Sequence, residues 1–279
     1  MESAVSKIRL AKSFFEGDYC LKTDKGKRLT CWFKEYDETV VDDFIKLETE
    51  IGNFIYHKGQ PELLYEHYGD NEEVYVYKLT EEIYCLKISC SPEMSLIQFY
   101  KADGTGITTF ALEDVCTIGK DLIAVREFCG KWGVLDKDLN WKIYYTYEEI
   151  FDYTDGLITG YRSERDTTDL ISIDKNGTIH IVNVDGYVVQ YLTKDLVVSK
   201  KGKKKGVYNT KGEKVLDIAY DGIRIIGNHL ILTNDGLEGL AEITGKILYE
   251  CKYYEIERTE DGFKLVTRQI IDKEEYITV

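Results

Sequence analysis

The chain has 279 residues, of which 43% are apolar, 31% charged and 13% aromatic, a composition that excludes a disordered tail. Thirty-six basic residues against fifty acidic ones leave a net charge of −14, which opposes nonspecific binding to phosphate backbones or anionic lipid. Two prolines, 23 glycines and 22 tyrosines argue against proline-rich linkers and for many short strands joined by glycine turns. The charged start, with Glu2, Lys7, Arg9 and Lys12, has no signal-peptide pattern, and no stretch approaches the roughly 18 apolar residues that a membrane span needs. Seven cysteines (20, 31, 85, 90, 116, 129 and 251) without a C-x-x-C pair read as reduced, mostly buried thiols in a cytoplasmic chain.

In chain order the pattern is one of strands. Lys7–Leu10 and Tyr19–Lys22 come first, the latter running into the turn Asp24-Lys-Gly26. Asp43–Ile55 is the nearest approach to a helical stripe and predicts one short helix. Phe54–Tyr56 leads into Gly59, and Leu96–Tyr100 leads into Gly104. Five short apolar runs then recur at 122–125, 157–159, 196–198, 230–233 and 263–266, each bounded by turn residues as buried strands are. Between them lie Gly133–Asp136 with Tyr147–Ile150, Gly206–Asn209 with Tyr220–Ile223, and Gly239 with Tyr253–Ile256. In all three copies the tyrosine precedes the next apolar run by ten residues. Asp174-Lys-Asn-Gly177 and the other Asp-x-x-Gly steps supply hairpins in which Asp caps its own backbone and Gly accepts a left-handed conformation. The terminal strand is Glu275–Val279.

The turn positions 26, 59, 104, 139, 177, 212 and 245 are separated by 33, 45, 35, 38, 35 and 33 residues, with Leu139 replacing a glycine. Seven repeats therefore fill the chain, near 14–50, 51–95, 96–128, 129–165, 166–202, 203–235 and 236–279, in one all-β domain. A three- to four-stranded unit cannot bury its own faces, so the repeats must stack. A β-propeller-like ring is expected, with an open β-solenoid as the alternative; one spare strand at each terminus favours closure.

Lys131-Trp-Gly-Val-Leu-Asp136 with Tyr147-Glu-Glu-Ile150 resembles the bacterial WG repeat family. Lys205-Gly-Val-Tyr-Asn209 with Tyr220–Ile223, and Glu238-Gly239 with Tyr253, carry the motif without its tryptophan. The resemblance covers the last four repeats in motif and the first three in spacing. It implies an all-β repeat scaffold and assigns no activity.

Catalytic motifs are absent: the sequence has no G-x-S-x-G, no H-E-x-x-H and no phosphate loop. Cys85 and Cys90 have no neighbouring histidine, and Asp174–Gly177 lacks the closing glutamate of a calcium loop, so no metal and no cofactor is expected. His57, His67, His180 and His229 read as surface or satisfied strand residues. Lys200–Gly206 reads as a solvated loop and not a nucleic-acid patch. Trp132 belongs to the repeat and is expected in the core, with buried packing also favoured for Trp32 and Trp141.

The leading functional reading is a non-catalytic scaffold, immunity-like or regulatory, that presents an acidic surface to a basic protein partner. The alternatives are a carbohydrate-active enzyme, which needs only two placed acids, and a structural accessory subunit. Residues 35–82 hold fourteen acids against Lys46, Lys58 and Lys78, a local charge of −11. Clustering of this kind is mildly costly to folding, and it reads either as a well-solvated part of two irregular repeats or as a surface that steers a partner. The candidate surface comprises Asp42, Asp43, Glu72 and Glu73, with Trp32, Tyr36, Tyr65 and Tyr68 as apolar anchors.

Overall fold

The structure, a computed structural model, describes residues 8–13, 18–69, 73–91, 94–119, 121–128, 130–152, 157–174, 178–267 and 274–277. Every regular element among them is a strand. The first pair is β1 (Ile8–Lys12) and β2 (Tyr19–Thr23). Then come β3 (Tyr36–Val41), β4 (Phe44–Thr49), β5 (Gly52–His57) and β6 (Leu63–Tyr68), followed by β7 (Glu73–Lys78), β8 (Ile83–Ser91), β9 (Met94–Lys101) and β10 (Gly106–Leu112). The third four-stranded sheet is β11 (Asp114–Ile118), β12 (Leu122–Arg126), β13 (Trp132–Asp136) and β14 (Trp141–Tyr147). The fourth is β15 (Glu149–Asp152), β16 (Ile158–Arg162), β17 (Thr167–Ile173) and β18 (Ile179–Asp185). The fifth is β19 (Tyr187–Thr193), β20 (Leu196–Lys201), β21 (Lys204–Asn209) and β22 (Lys214–Tyr220). The sixth is β23 (Gly222–Ile226), β24 (His229–Asn234), β25 (Leu237–Glu242) and β26 (Ile247–Tyr253). Last are β27 (Glu255–Arg258), β28 (Phe263–Val266) and β29 (Glu274–Ile277).

Each four-stranded sheet is an antiparallel meander in chain order, the blade unit of propeller-like folds, so the fold class is the expected one. The strands gather into two compact units, Met1–Thr146 and Tyr147–Val279. The five recurring apolar runs fall on β12, β16, β20, β24 and β28, in every case the second strand of its sheet. The sequence repeat is offset from the sheets by two strands. Residues 203–235, for example, cover β21 and β22 of one sheet and β23 and β24 of the next. The Tyr-x-x-Ile step is the crossing: Tyr220 ends β22 and Ile223 lies in β23. The crossing residue donates its N–H to the second strand of the sheet it enters, Glu148 to Tyr161 O (3.1 Å), Asp221 to Thr233 O (2.8 Å) and Tyr254 to Val266 O (2.7 Å). Of the terminal strand, Glu274–Ile277 pairs with β28, and residues 278–279 lie outside the described residues.

Within each unit the core lies between consecutive sheets. On β20, Leu196 and Val198 join a cluster with Leu230 and Leu232 of β24, while Val197 turns to the opposite face among Leu170 and Val184. Ile231 alternates likewise away from Leu230 and Leu232, towards Phe263 and Leu265. In the first unit Phe44 and Ile55 pack with Val74, Tyr84 and Leu86, and Ile45, Leu47 and Phe54 pack with Leu21 and Phe33. A strand buried on both faces must be apolar throughout, which explains the continuous runs.

This two-faced burial also corrects the expected helix at Asp43–Ile55. The segment is the hairpin of β4 and β5. Thr49 Oγ1 accepts from the Ile51 and Gly52 amides (3.2 Å each), and Gly52, at φ 144°, passes so close to His67 that a Cβ would sit 1.9 Å from its carbonyl oxygen. The expected mostly buried thiols need correction too. Cys20 and Cys85 are buried, but Cys31, Cys90 and Cys116 are exposed. Cys31 lies outside the strands, Cys90 near the end of β8 and Cys116 on β11, the edge strand of its sheet. Cys129 lies outside the described residues.

The hairpins follow the expected chemistry. Asp136 Oδ1 accepts from the amides of Asp138 and Asn140 (2.9 Å each), and Asn209 Oδ1 from those of Lys211 (3.0 Å) and Glu213 (2.9 Å). Leu139 adopts φ 61° at the position where Gly212 and Gly245 have 82° and 93°. Gly177 lies outside the described residues. The motif glycines have a different cause. A Cβ on Gly206 would lie 2.8 Å from Ile218 N and Leu216 O, and one on Gly239 would lie 2.8 Å from Tyr249 O. At both sites the fourth strand slips register against the third and presses its backbone onto the glycine.

Gly206→Ala and Gly239→Ala are therefore each expected to cost about 1–3 kcal/mol through this backbone contact. The cost should appear as a fall of several degrees in a thermal melt. Alkaline pH provides a second check. Burial pushes the Cys85 thiol up to about 12 from 9.0 and the Tyr56 phenol up to about 12 from 10.0. Both ionise earlier in the unfolded chain, so their contribution is complete below about pH 9 and is lost as pH rises towards 12. Stability measured by urea unfolding should fall across that window, less steeply in Cys85→Val.

Candidate functional site

The acidic segment is built on the hairpin of β3 and β4. Asp37 stands directly opposite Glu48 across the two strands, which places both carboxylates on one face. Lys46, two residues along β4, shares that face; it is buried to 7% exposure, pairs with Glu48 and holds its ammonium 5.5 Å from the Tyr75 ring centroid. Glu50 accepts from the amides of Lys34 (2.5 Å) and Glu35 (3.2 Å). These bonds, the Lys34 amide foremost, hold its carboxyl below the usual range.

Two adjoining clefts result. The first, about 360 Å³, is lined by Glu35, Tyr36, Asp37, Glu48, Thr49 and Glu50. The second, about 380 Å³, is lined by Lys46, Glu48, Thr49, Asn53, Gly69, Glu73 and Tyr75. Glu48 and Thr49 belong to both. Among the described residues Glu35, Asp37 and Glu38 form no ion pair; Glu35 and Asp37 line the first cleft, where Glu48 is compensated by Lys46, and Glu38 lies on the other face of β3.

The expected site residues divide between this cleft and other places. Tyr36 lines the first cleft, and Glu73 lines the second, where it accepts from Tyr75 Oη at 3.0 Å. Asp42 and Asp43 sit at the far end of the hairpin and are neutralised there. Asp42, at φ 51°, takes a hydrogen bond from the Tyr84 hydroxyl and lies 3.2 Å from Lys78 Nζ, partners that lower its pKa in that order. Asp43 is 3.4 Å from Lys58. Tyr65 is half-buried against the Phe44 and Tyr84 cluster. Tyr68 is 50% exposed and meets Phe54 edge-on at 5.4 Å. Trp32 is half-buried, with Lys22 5.2 Å and Arg28 5.9 Å from its ring. Glu72 lies outside the described residues.

The remaining tryptophans also depart from a core role. Trp132 is half-buried with the Arg126 guanidinium 5.8 Å from its ring, and Trp141 is 38% exposed beside Tyr144 and Tyr145. Each opens its strand, Trp132 ahead of the buried centre of β13 and Trp141 at the exposed start of the edge strand β14. His57 is a satisfied buried residue: its Nδ1 accepts from the Gly59 amide (3.0 Å), which leaves Nε2 to donate to Ala102 O (2.9 Å). Of the lysine run, Lys204 pairs with Asp221 and Asn234 at 2.7 Å each, and Lys200, Lys201 and Lys203 are exposed in the hairpin of β20 and β21.

In the second unit, buried Asp169 accepts from Tyr147 Oη (3.0 Å), Asn183 Nδ2 (2.8 Å) and Arg162 Nη2. All three donors belong to the protein, and burial, then Asp169, pushes the Tyr147 phenol up. The network pins the crossing tyrosine in place.

The residues that sequence reading passed over are Glu35, Asp37, Glu48, Glu50 and the stacked pair Tyr75 and Tyr77, whose rings lie 6.0 Å apart and are each 41% exposed. A strand period of two over 35–38 and 73–77 was the available signal.

No family model and no curated protein matches the chain. Among solved structures it is similar to Kluyveromyces lactis Hsv2, at 13% identity and TM-score 0.35 over 75% of this chain and 73% of that one. It is also similar to the computationally designed Ika8 protein (13%, TM-score 0.32, 95% and 94%) and to PorZ of Porphyromonas gingivalis (11%, TM-score 0.31, 94% and 44%). At TM-scores this low no function transfers.

Proposed function

We propose that the chain is a non-catalytic binding scaffold, of immunity-like or regulatory type, whose acidic cleft on β3 and β4 receives a basic segment of a protein partner. The observation that carries this reading is the contrast within one hairpin. Lys58 and Lys78 neutralise the tip at Asp42 and Asp43, whereas Glu35, Asp37 and Glu38 at the other end face solvent without a cation. Asp37 and Glu48, set opposite each other, repel, and Lys46 pairs with Glu48 alone, which leaves Asp37 a like charge opposite it and no cation of its own. A Lys or Arg from outside would relieve that repulsion, with the exposed ring of Tyr75 lining the adjoining cleft. WG-type repeats, cytoplasmic location and a single repeat domain belong to the same proposal. They rest on the motif at Gly133, Gly206 and Gly239, on the thiol-rich composition and on the regular turn spacing.

Steering acts on the association rate and is screened over about 8 Å at physiological salt. Stopped-flow association with an arginine-rich peptide, and with a partner purified from the native source at low salt, tests the reading. Reversal of Glu35, Asp37 and Glu38 to lysine is expected to slow association about tenfold or more and flatten its salt dependence. The melting temperature should be unchanged. Asp42→Lys, by contrast, should lower the melting temperature, because it sets a second cation against Lys78 and removes the acceptor of Tyr84. A partner whose on-rate ignores both salt and the triple reversal would refute the proposal.

A further inference from the structure

Among the described residues Lys46 is the one lysine or arginine that is buried. It stands where the apolar face of the first four-stranded sheet gives way to the acidic cleft. Along β4 it alternates between buried Phe44 and Glu48, whose side chain is 53% exposed, and in register it lies opposite Thr39 of β3 and fully buried Ile55 of β5. An ammonium withdrawn from water is costly unless it is paired. Two groups meet this one, the carboxylate of Glu48 and the ring of Tyr75, whose centroid is 5.5 Å away. Both line the second cleft together with Lys46, and Glu48 lines the first as well. Folding makes no demand for a charge here. Phe44 and Ile55 on the same face are apolar, and apolar residues in place of a buried ion pair are often neutral or stabilising.

On the reading of this cleft as the seat of a partner's basic segment, we infer that Lys46 is its internal counter-ion, which competes with the partner's cation for Glu48 and so sets how tightly the cleft binds. A lysine or arginine that pairs with Asp37 arrives directly across the ladder from Glu48, at a cross-strand Cβ separation of about 5 Å. There it meets an ammonium already held by the same carboxylate. Two cations that share one carboxylate repel, and they repel more strongly where one of them is buried and poorly screened. Tyr75 gives the Lys46 ammonium a second contact to keep when Glu48 turns to the incoming cation. Position, and not charge alone, gives Lys46 this role. Lys58 carries the same charge but pairs with Asp43 at the hairpin tip, roughly 16 Å along β4 from Glu48 and well beyond the screening length.

K46M and K58M each remove one positive charge, so comparing them separates position from net charge. Glu48 is exposed enough to stay hydrated when Lys46 is gone, and K46Q, neutral and also polar, is a second variant should K46M fail to fold. Binding of a labelled arginine-rich peptide to the intact chain is followed by fluorescence anisotropy at about 50 and 150 mM salt, with a thermal melt of each variant. K46M and K46Q are expected to bind the peptide about threefold to tenfold tighter than the native chain, and K58M to stay within about a factor of two of it. Peptide binding that K46M and K46Q leave unchanged or weaken would overturn the role of Lys46 while leaving the cleft as a cation site. A gain in K58M equal to that in K46M would overturn it too, because net charge would then suffice. A peptide that binds neither the native chain nor the Lys46 variants would overturn both this role and the reading of the cleft on which it rests.

Discussion

The structure depends on the burial of the second strand of each sheet on both of its faces. No single four-stranded meander can supply that environment, because each sheet has only its own residues on either side and leaves both faces bare. Leu196 and Val198 look one way from β20 and Val197 looks the other, so β20 is satisfied only between two neighbouring layers. β24 repeats the arrangement with Leu230, Leu232 and Ile231. Stacking of layers within each unit is thus a consequence of apolar runs with no polar face. Once stacking is required, the rest of the repeat has to serve it. The chain must leave one layer and enter the next within two residues, which the Tyr-x-x-Ile step achieves by donating the crossing amide to the incoming second strand.

The glycine of the motif belongs to the same scheme. Where the third strand has Gly206 or Gly239, the fourth strand slips register and closes to within 2.8 Å of the missing Cβ. The sheet of β15 to β18 provides an internal comparison. Asp174 caps Thr178 there as Asn209 caps Glu213, so Ile171 occupies the glycine's place. In that sheet the third and fourth strands pair from Thr167 to Ile173 without a slip. Among these three sheets the glycine accompanies a slipped register and Ile171 a regular ladder, while β5·β6 and β9·β10 slip once each without a glycine at that place.

The parts of the fold that were legible in the sequence are those fixed by local chemistry. Turn residues with a left-handed backbone, Asx caps and continuous apolar runs each have one common structural meaning, and they located the hairpins and the five second strands. The phase of the repeat was not legible, because periodicity defines a spacing and no origin. The hairpin of β4 and β5 was misread as a helix because two strands buried on both faces show no alternation, and Gly52 was not weighed as a breaker. The candidate site was legible as a charge excess over 35–82 and illegible as a surface. Composition counts Asp42 and Asp43 equally with Asp37, whereas the lysines that neutralise the first two come from β7 and from the turn after β5. Trp132 and Trp141 were misplaced for a related reason: aromatic bulk suggests a core, but both residues open their strands, where burial is incomplete.

Native-state hydrogen exchange followed amide by amide measures the claim about burial most directly, because exchange protection reports how much of the structure must open before a given N–H meets water. The account places the slowest amides in the second and third strands, β12, β13, β20, β21, β24 and β25, whose central residues are fully buried. The first and fourth strands, β11, β14, β19, β22, β23 and β26, should exchange markedly faster. Equal protection across all four strands of a sheet, or slowest exchange in a fourth strand, would contradict it.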